Sequence, residues 1–357
     1  MTRYSNILAK CKRRKFFNAN TLGFGLSVFA LNLLIYLKVV KSNRYSYHQT
    51  LLMDTLATGS NMMQSVRYLL AGSIDYAGLF PPAALSMPEA VINYATYRNS
   101  NYRWMLGRFV LPVSQLGDFI ESAGDFISRD ADTAWRLSVI AGEDIIDTIR
   151  SINQFNSNFG PGVIIDSLEV RANSTSKIDN TVDALPTGIT AYFEIGGGDT
   201  FPDLVAQLSL RGQRAKIRTG GVTPEAFPRS AEIVRFVRAC LAANVPFKAT
   251  AGLHHPIRCY RPLTYASDAP KGTMHGFLNL FLMTGFAREG YRQSLLEDVM
   301  EEEFAEVFRF EDQTAIWRDE FNLSLAQLER LRQYGIQSFG SCSFDEPVAD
   351  LQKLGIL

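Results

Sequence analysis

The chain has 357 residues, of which 46% are hydrophobic, 11% aromatic and 20% charged, which excludes a disordered, fibrous or small disulfide-stapled protein. Its 36 Lys and Arg against 36 Asp and Glu give a net charge of zero and argue against a nucleic-acid protein held by bulk electrostatics. Cys11, Cys240, Cys259 and Cys342 are scattered, with no CxxC pair and no metal-ligand spacing, and read as reduced thiols.

The balanced charge hides an asymmetry. Residues 1–44 carry nine Lys and Arg and no Asp or Glu; taking those nine from the 36 leaves 27 basic against 36 acidic residues, a net of −9. Residues 16–37 contain no charge, and the cluster Lys10, Lys12, Arg13, Arg14 and Lys15 precedes them. About 20 apolar residues cross a bilayer as a helix, so this stretch reads as a single membrane anchor. The basic flank favours a cytoplasmic N-terminus, which Lys38, Lys41 and Arg44 beyond the stretch counter. If translation instead starts at Met53, Met62 or Met63, the protein is cytoplasmic. This divides the chain into a basic, apolar N-terminus over 1–47 and a globular domain over 48–357.

After a helix over 50–67, short apolar runs alternate with amphipathic ones, the pattern of βα units around a parallel sheet. The strand candidates are 69–78, 105–111, 136–141, 163–171, 190–195, 215–219, 247–251 and 338–344. Helical stretches separate them, two carrying first-turn prolines, Pro88 and Pro202. Eight strands in about 290 residues predict an α/β fold of the (β/α)8 TIM-barrel type, with the active site at the C-terminal ends of the strands; an open doubly wound sheet is the alternative. A helical insert over 274–308, apolar early and acidic late, is expected to pack over the barrel mouth or form a homo-oligomer contact.

Strand alternation separates apolar from charged faces. In AKIRT, Lys216 and Arg218 oppose Ala215, Ile217 and Thr219; in FKATA, Lys248 and Thr250 oppose the apolar positions. The same split turns Asp75, Arg108, Glu169, Arg171, Tyr192 and Glu194 inward. Charged side chains are rarely buried without partners, so Asp75, Arg108, Glu169, Glu194, Lys216, Arg218 and Lys248 form either an ion-pair network that fixes the register or a catalytic site. A lysine beside another cation or in an apolar pocket becomes nucleophilic, which makes Lys216 a Schiff-base candidate and Lys248 its modulator. Glu194, Glu169 and Asp75 are the candidates for proton transfer. Arg108 and Arg218 suit an anionic group, and the turn at Gly220 and Gly221 offers backbone N–H groups to the same anion.

The stretch KIRTGG from Lys216 and KATAGL from Lys248 resembles the strand-six and strand-seven motifs of deoxyribose-phosphate aldolase, a class I aldolase family. That resemblance implies that Lys216 forms the Schiff base and Lys248 lowers its pKa. Arg218 and Gly221 stand where the family has serine and phenylalanine. Separately, DYAGLFPPA, MLGRFVLP and TAGLHHP are similar to segments of a bacterial and plant-type family of unassigned function, which implies no activity.

His254 and His255 follow the seventh strand and are read as substrate contacts. The expected enzyme is thus a lyase acting on a small carbonyl-containing or anionic, and in one version phosphorylated, substrate, with no cofactor and no metal. Two other readings stand beside it: a metal-dependent lyase or hydrolase using His254, His255 and a carboxylate, and a non-catalytic, membrane-tethered binding protein.

Overall fold

A computed structural model describes residues 62–127, 133–160 and 162–357. The anchor over 16–37, and residues 50–61 of the helix over 50–67, lie outside the described residues. Helix α1 (Gln64–Leu70) leads into β1 (Ile74–Tyr76), followed by α2 (Met87–Arg98), β2 (Leu106–Pro112), α3 (Leu116–Ala123), β3 (Trp135–Ile140), α4 (Ile145–Phe159) and β4 (Val163–Arg171). The alternation continues with α5 (Thr175–Ala184), β5 (Thr190–Glu194), α6 (Phe201–Leu210), β6 (Arg214–Arg218), α7 (Ser230–Ala242) and β7 (Phe247–Thr250).

Between β7 and the last barrel strand lie a hairpin of β8 (Cys259–Pro262) and β9 (Lys271–Met274), then α8 (Phe277–Arg288) and α9 (Gln293–Glu301). A three-stranded antiparallel sheet follows, β10 (Phe308–Glu311), β11 (Thr314–Trp317) and β12 (Phe321–Ser324), before α10 (Leu325–Tyr334), β13 (Ile336–Ser341) and α11 (Asp345–Lys353). Strands β1 to β7 and β13 close a parallel eight-stranded barrel in which β13 pairs with both β7 and β1. The fold is the (β/α)8 barrel that the alternation predicts.

Side chains satisfy the free N–H groups at the start of several helices. Ser86 and Glu89 form a capping box on α2 with Pro88 in the first turn, and Asp144 accepts from the Ile146 and Asp147 N–H groups at the start of α4. The outward strand residues Phe109, Leu137, Phe193, Ala215, Phe247 and Phe339 are fully buried under the helices. Tyr76 and Tyr94 stack with ring centres 6.1 Å apart, and Phe109 meets Phe119 at 5.4 Å, joining β1 and β2 to α2 and α3.

The insert departs from expectation. Every residue of α8 from Phe277 to Phe286 is buried, and Phe277 stacks on Phe339 at 4.8 Å. Because Ser338 points into the barrel toward Asp75, its neighbour Phe339 faces outward; α8 therefore covers the barrel wall rather than the mouth. A helix apolar on all sides is what such a fully buried position requires.

Candidate active site

The residues predicted to face inward converge because β4 to β7 stand in register. Glu169 pairs with Tyr192, Glu194 with Lys216, and Lys216 with Lys248. Lys248 Nζ donates to Asp75 Oδ2 at 2.5 Å and to Glu169 Oε1 at 2.7 Å. Lys216 Nζ lies 2.8 Å from the other oxygen, Glu169 Oε2, and 2.9 Å from Glu194 Oε2. An alternating chain of charge results, Asp75 to Lys248 to Glu169 to Lys216 to Glu194, with Arg171 3.5 Å beyond the last carboxylate.

Burial falls along this chain. The side chains of Asp75 and Lys248 are 1% and 2% exposed, that of Lys216 7% and that of Glu194 15%. Lys216 and Glu194 are thus the outermost buried members, and Arg218, the last residue of β6, is exposed at the C-terminal strand ends.

Charge is held in place at each inner position. Burial opposes ionisation of Glu169, but the Lys216 and Lys248 ammonium groups overcome it and hold its carboxyl far below the usual range. Burial likewise works against a charged Lys248, and Asp75 with Glu169 reverses that, raising its pKa. Lys248 is accordingly a fixed cation rather than a free amine. Glu194 is lowered too, with Lys216 outweighing its burial and Arg218 adding to the effect.

Uncharged donors complete the site. Ser338 Oγ donates to Asp75 Oδ2 at 2.8 Å, the Arg108 backbone N–H to Asp75 Oδ1 at 2.9 Å, and Ser138 Oγ to Glu169 Oε1 at 2.8 Å. Lys248 Nζ also lies 5.3 Å from the centre of the Tyr192 ring. Gly107 is required here: a Cβ would stand 2.4 Å from Asp75 Oδ1 and 3.1 Å from the Ile74 carbonyl oxygen. Sequence reading missed Ser138, Ser338 and Gly107. The two serines were legible as the inward positions of RLSVI and of the last strand, whereas the Gly107 contact needs the strands docked.

Three of the expected ligand contacts also meet other groups of the protein. The Arg108 guanidinium binds Asp166 at 2.6 Å, and Arg136 joins the same carboxylate, all three in the N-terminal halves of β2, β3 and β4. Arg108 is therefore committed to an internal ion pair, with only its backbone N–H serving the site. Asp166 is the extra residue of a bulge between Ile165 and Ser167, which breaks strict alternation and explains why face counting missed it. At the β6 turn, a Cβ on Gly220 would stand 2.4 Å from the Phe227 ring and one on Gly221 2.7 Å from the Ala226 Cβ. Packing of the segment after β6 thus requires glycine at both positions.

His254 and His255 diverge. His255 Nδ1 lies 2.6 Å from Asp350 of α11, while His254 Nδ1 lies 3.7 Å from Cys342 Sγ and 3.5 Å from Glu346 Oε2. Neither imidazole contacts Glu169, Glu194 or Asp75. Among the described residues no group of three His, Cys, Asp or Glu side chains is placed to hold a metal ion, and no helix is long and apolar enough to cross a membrane. No protein-family model matches this chain, and no curated protein matches it.

Proposed function

We propose that this chain is a barrel enzyme of the Schiff-base lyase type, with Lys216 as the nucleophile toward a small carbonyl substrate. The observation that carries the reading is the Lys216 amine at the outer end of a buried charge chain, 2.9 Å from the partly exposed Glu194 carboxylate. Such an amine must lose a proton before it attacks, and Glu194 is in direct contact to accept it.

Addition of the Lys216 nitrogen to the carbonyl carbon gives a carbinolamine; Glu194 then returns the proton to the departing hydroxyl, and water leaves an iminium. The iminium then takes up the electron pair of the bond between its α- and β-carbons as that bond breaks: the β-hydroxyl proton passes to the Glu194 carboxylate, the far fragment leaves as a carbonyl compound, and the enamine that remains regains a proton at carbon before water hydrolyses the iminium and frees the amine. Lys248 acts through Glu169, the carboxylate that both lysines share. Asp75 and Ser338 in turn fix Lys248. Arg218 supplies positive charge at the strand ends for an anionic substituent, such as a carboxylate or phosphate.

The test is inactivation by sodium borohydride during turnover of small aldehydes, ketones and their phosphates. Loss of carbonyl-cleaving activity only when substrate and borohydride are both present supports the reading. Cleavage that is indifferent to borohydride contradicts it.

A further inference from the structure

A second group of reactive side chains stands at the C-terminal end of the barrel, apart from the lysine chain. Cys342 follows β13 directly, and its sulfur lies 3.7 Å from Nδ1 of His254, four residues beyond β7. The same nitrogen lies 3.5 Å from a Glu346 carboxylate oxygen on α11. The phenol oxygen of Tyr265, from the connection between β8 and β9, is 3.8 Å from the sulfur. Three separate elements thus bring a thiol and a carboxylate to the same imidazole nitrogen, whose single proton either can accept.

The electrostatics agree with this geometry. Burial opposes a charged His254, yet its contacts with Cys342 and Glu346 push its pKa up to about 9, so the imidazole is cationic at neutral pH. A neighbouring imidazolium favours thiolate over thiol. Tyr76 and Tyr97 also face the sulfur, and burial keeps both phenols neutral, Tyr76 pushed up to about 12 and Tyr97 higher.

We propose that Cys342 is a modification site, a thiolate paired with His254 and Glu346 that small hydroperoxides oxidise to a sulfenic acid. The size limit comes from access, since Cys342 is 5% exposed and Tyr265, 58% exposed, touches its sulfur. The thiolate attacks the hydroxyl oxygen of the hydroperoxide; an S–O bond forms, the O–O bond breaks, and the leaving alkoxide or hydroxide takes the His254 proton. Sulfur loses two electrons and the peroxide gains them, giving Cys–SOH and an alcohol or water. Glu346 orients and charges the imidazole and is a positioning residue. This chemistry does not depend on Lys216.

The test is exposure of the 357-residue chain to hydrogen peroxide with a sulfenic-acid-specific nucleophile present, followed by peptide mapping. Cys342 is expected to be labelled ahead of Cys11, Cys240 and Cys259. An ordinary thiol with pKa ~8.5 is only a few per cent ionised at pH 7, so His254→Gln should slow Cys342 labelling by ~10-fold or more. The wild-type chain alone supplies a second readout: a thiolate pair keeps its labelling rate nearly constant from pH 8 to pH 6, whereas an ordinary thiol loses ~10-fold per pH unit. No label on Cys342, or a rate that falls with the ordinary slope, overturns the proposal.

Discussion

Lys216 and Lys248 carry the same charge on adjacent strands and yet hold different positions, because carboxylates surround the inner one more completely. Lys248 touches Asp75 and Glu169 in a site 2% exposed, while Lys216 shares Glu169 with it and reaches Glu194 toward solvent. Removing either cation outright would strand buried carboxylates, at a cost of about 3–5 kcal/mol. Lys216→Arg is therefore the informative change, since it keeps the positive charge and cannot form an imine. It should abolish carbonyl cleavage while lowering the urea midpoint far less than Lys216→Met. Gly107→Ala forces a methyl group against Asp75 and should destabilise the fold by ~1–3 kcal/mol, measured in the same urea titration. A neutral result there would remove Gly107 from the site's construction. Alternation identified the charged face of β5, β6 and β7, because those strands are regular. It misjudged the neighbourhood of Arg108 and Asp166, where one extra residue resets the pattern.

Among the barrel helices, α2, α4 and α5 begin with side-chain caps, and these can be weighed one at a time. Asp144 accepts two backbone N–H groups at the start of α4, which lies on the far side of the strands from the lysine chain. Asp144→Ala should cost about 1 kcal/mol by thermal or urea unfolding and leave carbonyl cleavage unchanged. A loss of activity at full stability would show that α4 does more than cover β3 and β4. The eight barrel strands were legible as short runs with one apolar face, separated by helical stretches. The short strands β8 to β12 were not, since four residues such as CYRP or FRFE leave too little periodicity to separate from a turn. The apolar run of α8 was legible as a helix but not in its placement, which depends on Phe339 of a distant strand.

For the whole molecule, the groups with shifted pKa values set a pH window for stability. Glu169, Glu194, Asp166 and Glu346 are all held below their ordinary range in the folded state, with neighbouring cations outweighing burial. Their stabilisation is present above the unfolded carboxylate values of ~4 and is lost as pH falls through the folded ones. His254 has the opposite sign. Raised to about 9, it contributes fully below its unfolded value near ~6.5 and loses that contribution as pH rises through 9. Stability should therefore be highest between about pH 5 and 6.5, fall steeply in acid and decline gently from pH 7 to 9. His254→Gln should flatten the alkaline decline; an unchanged decline would mean that the imidazole is not held charged in the fold.

Under the proposed function Lys216, and no other lysine, carries the carbonyl chemistry. Borohydride trapping of the wild-type, Lys216→Arg and Lys248→Arg chains with small aldehydes and ketones, read by intact mass and peptide mapping, separates Lys216 from every other lysine. One adduct per chain is expected, on Lys216, present in Lys248→Arg and absent in Lys216→Arg. An adduct that persists in Lys216→Arg, or that maps to Lys248 in the wild type, would contradict it.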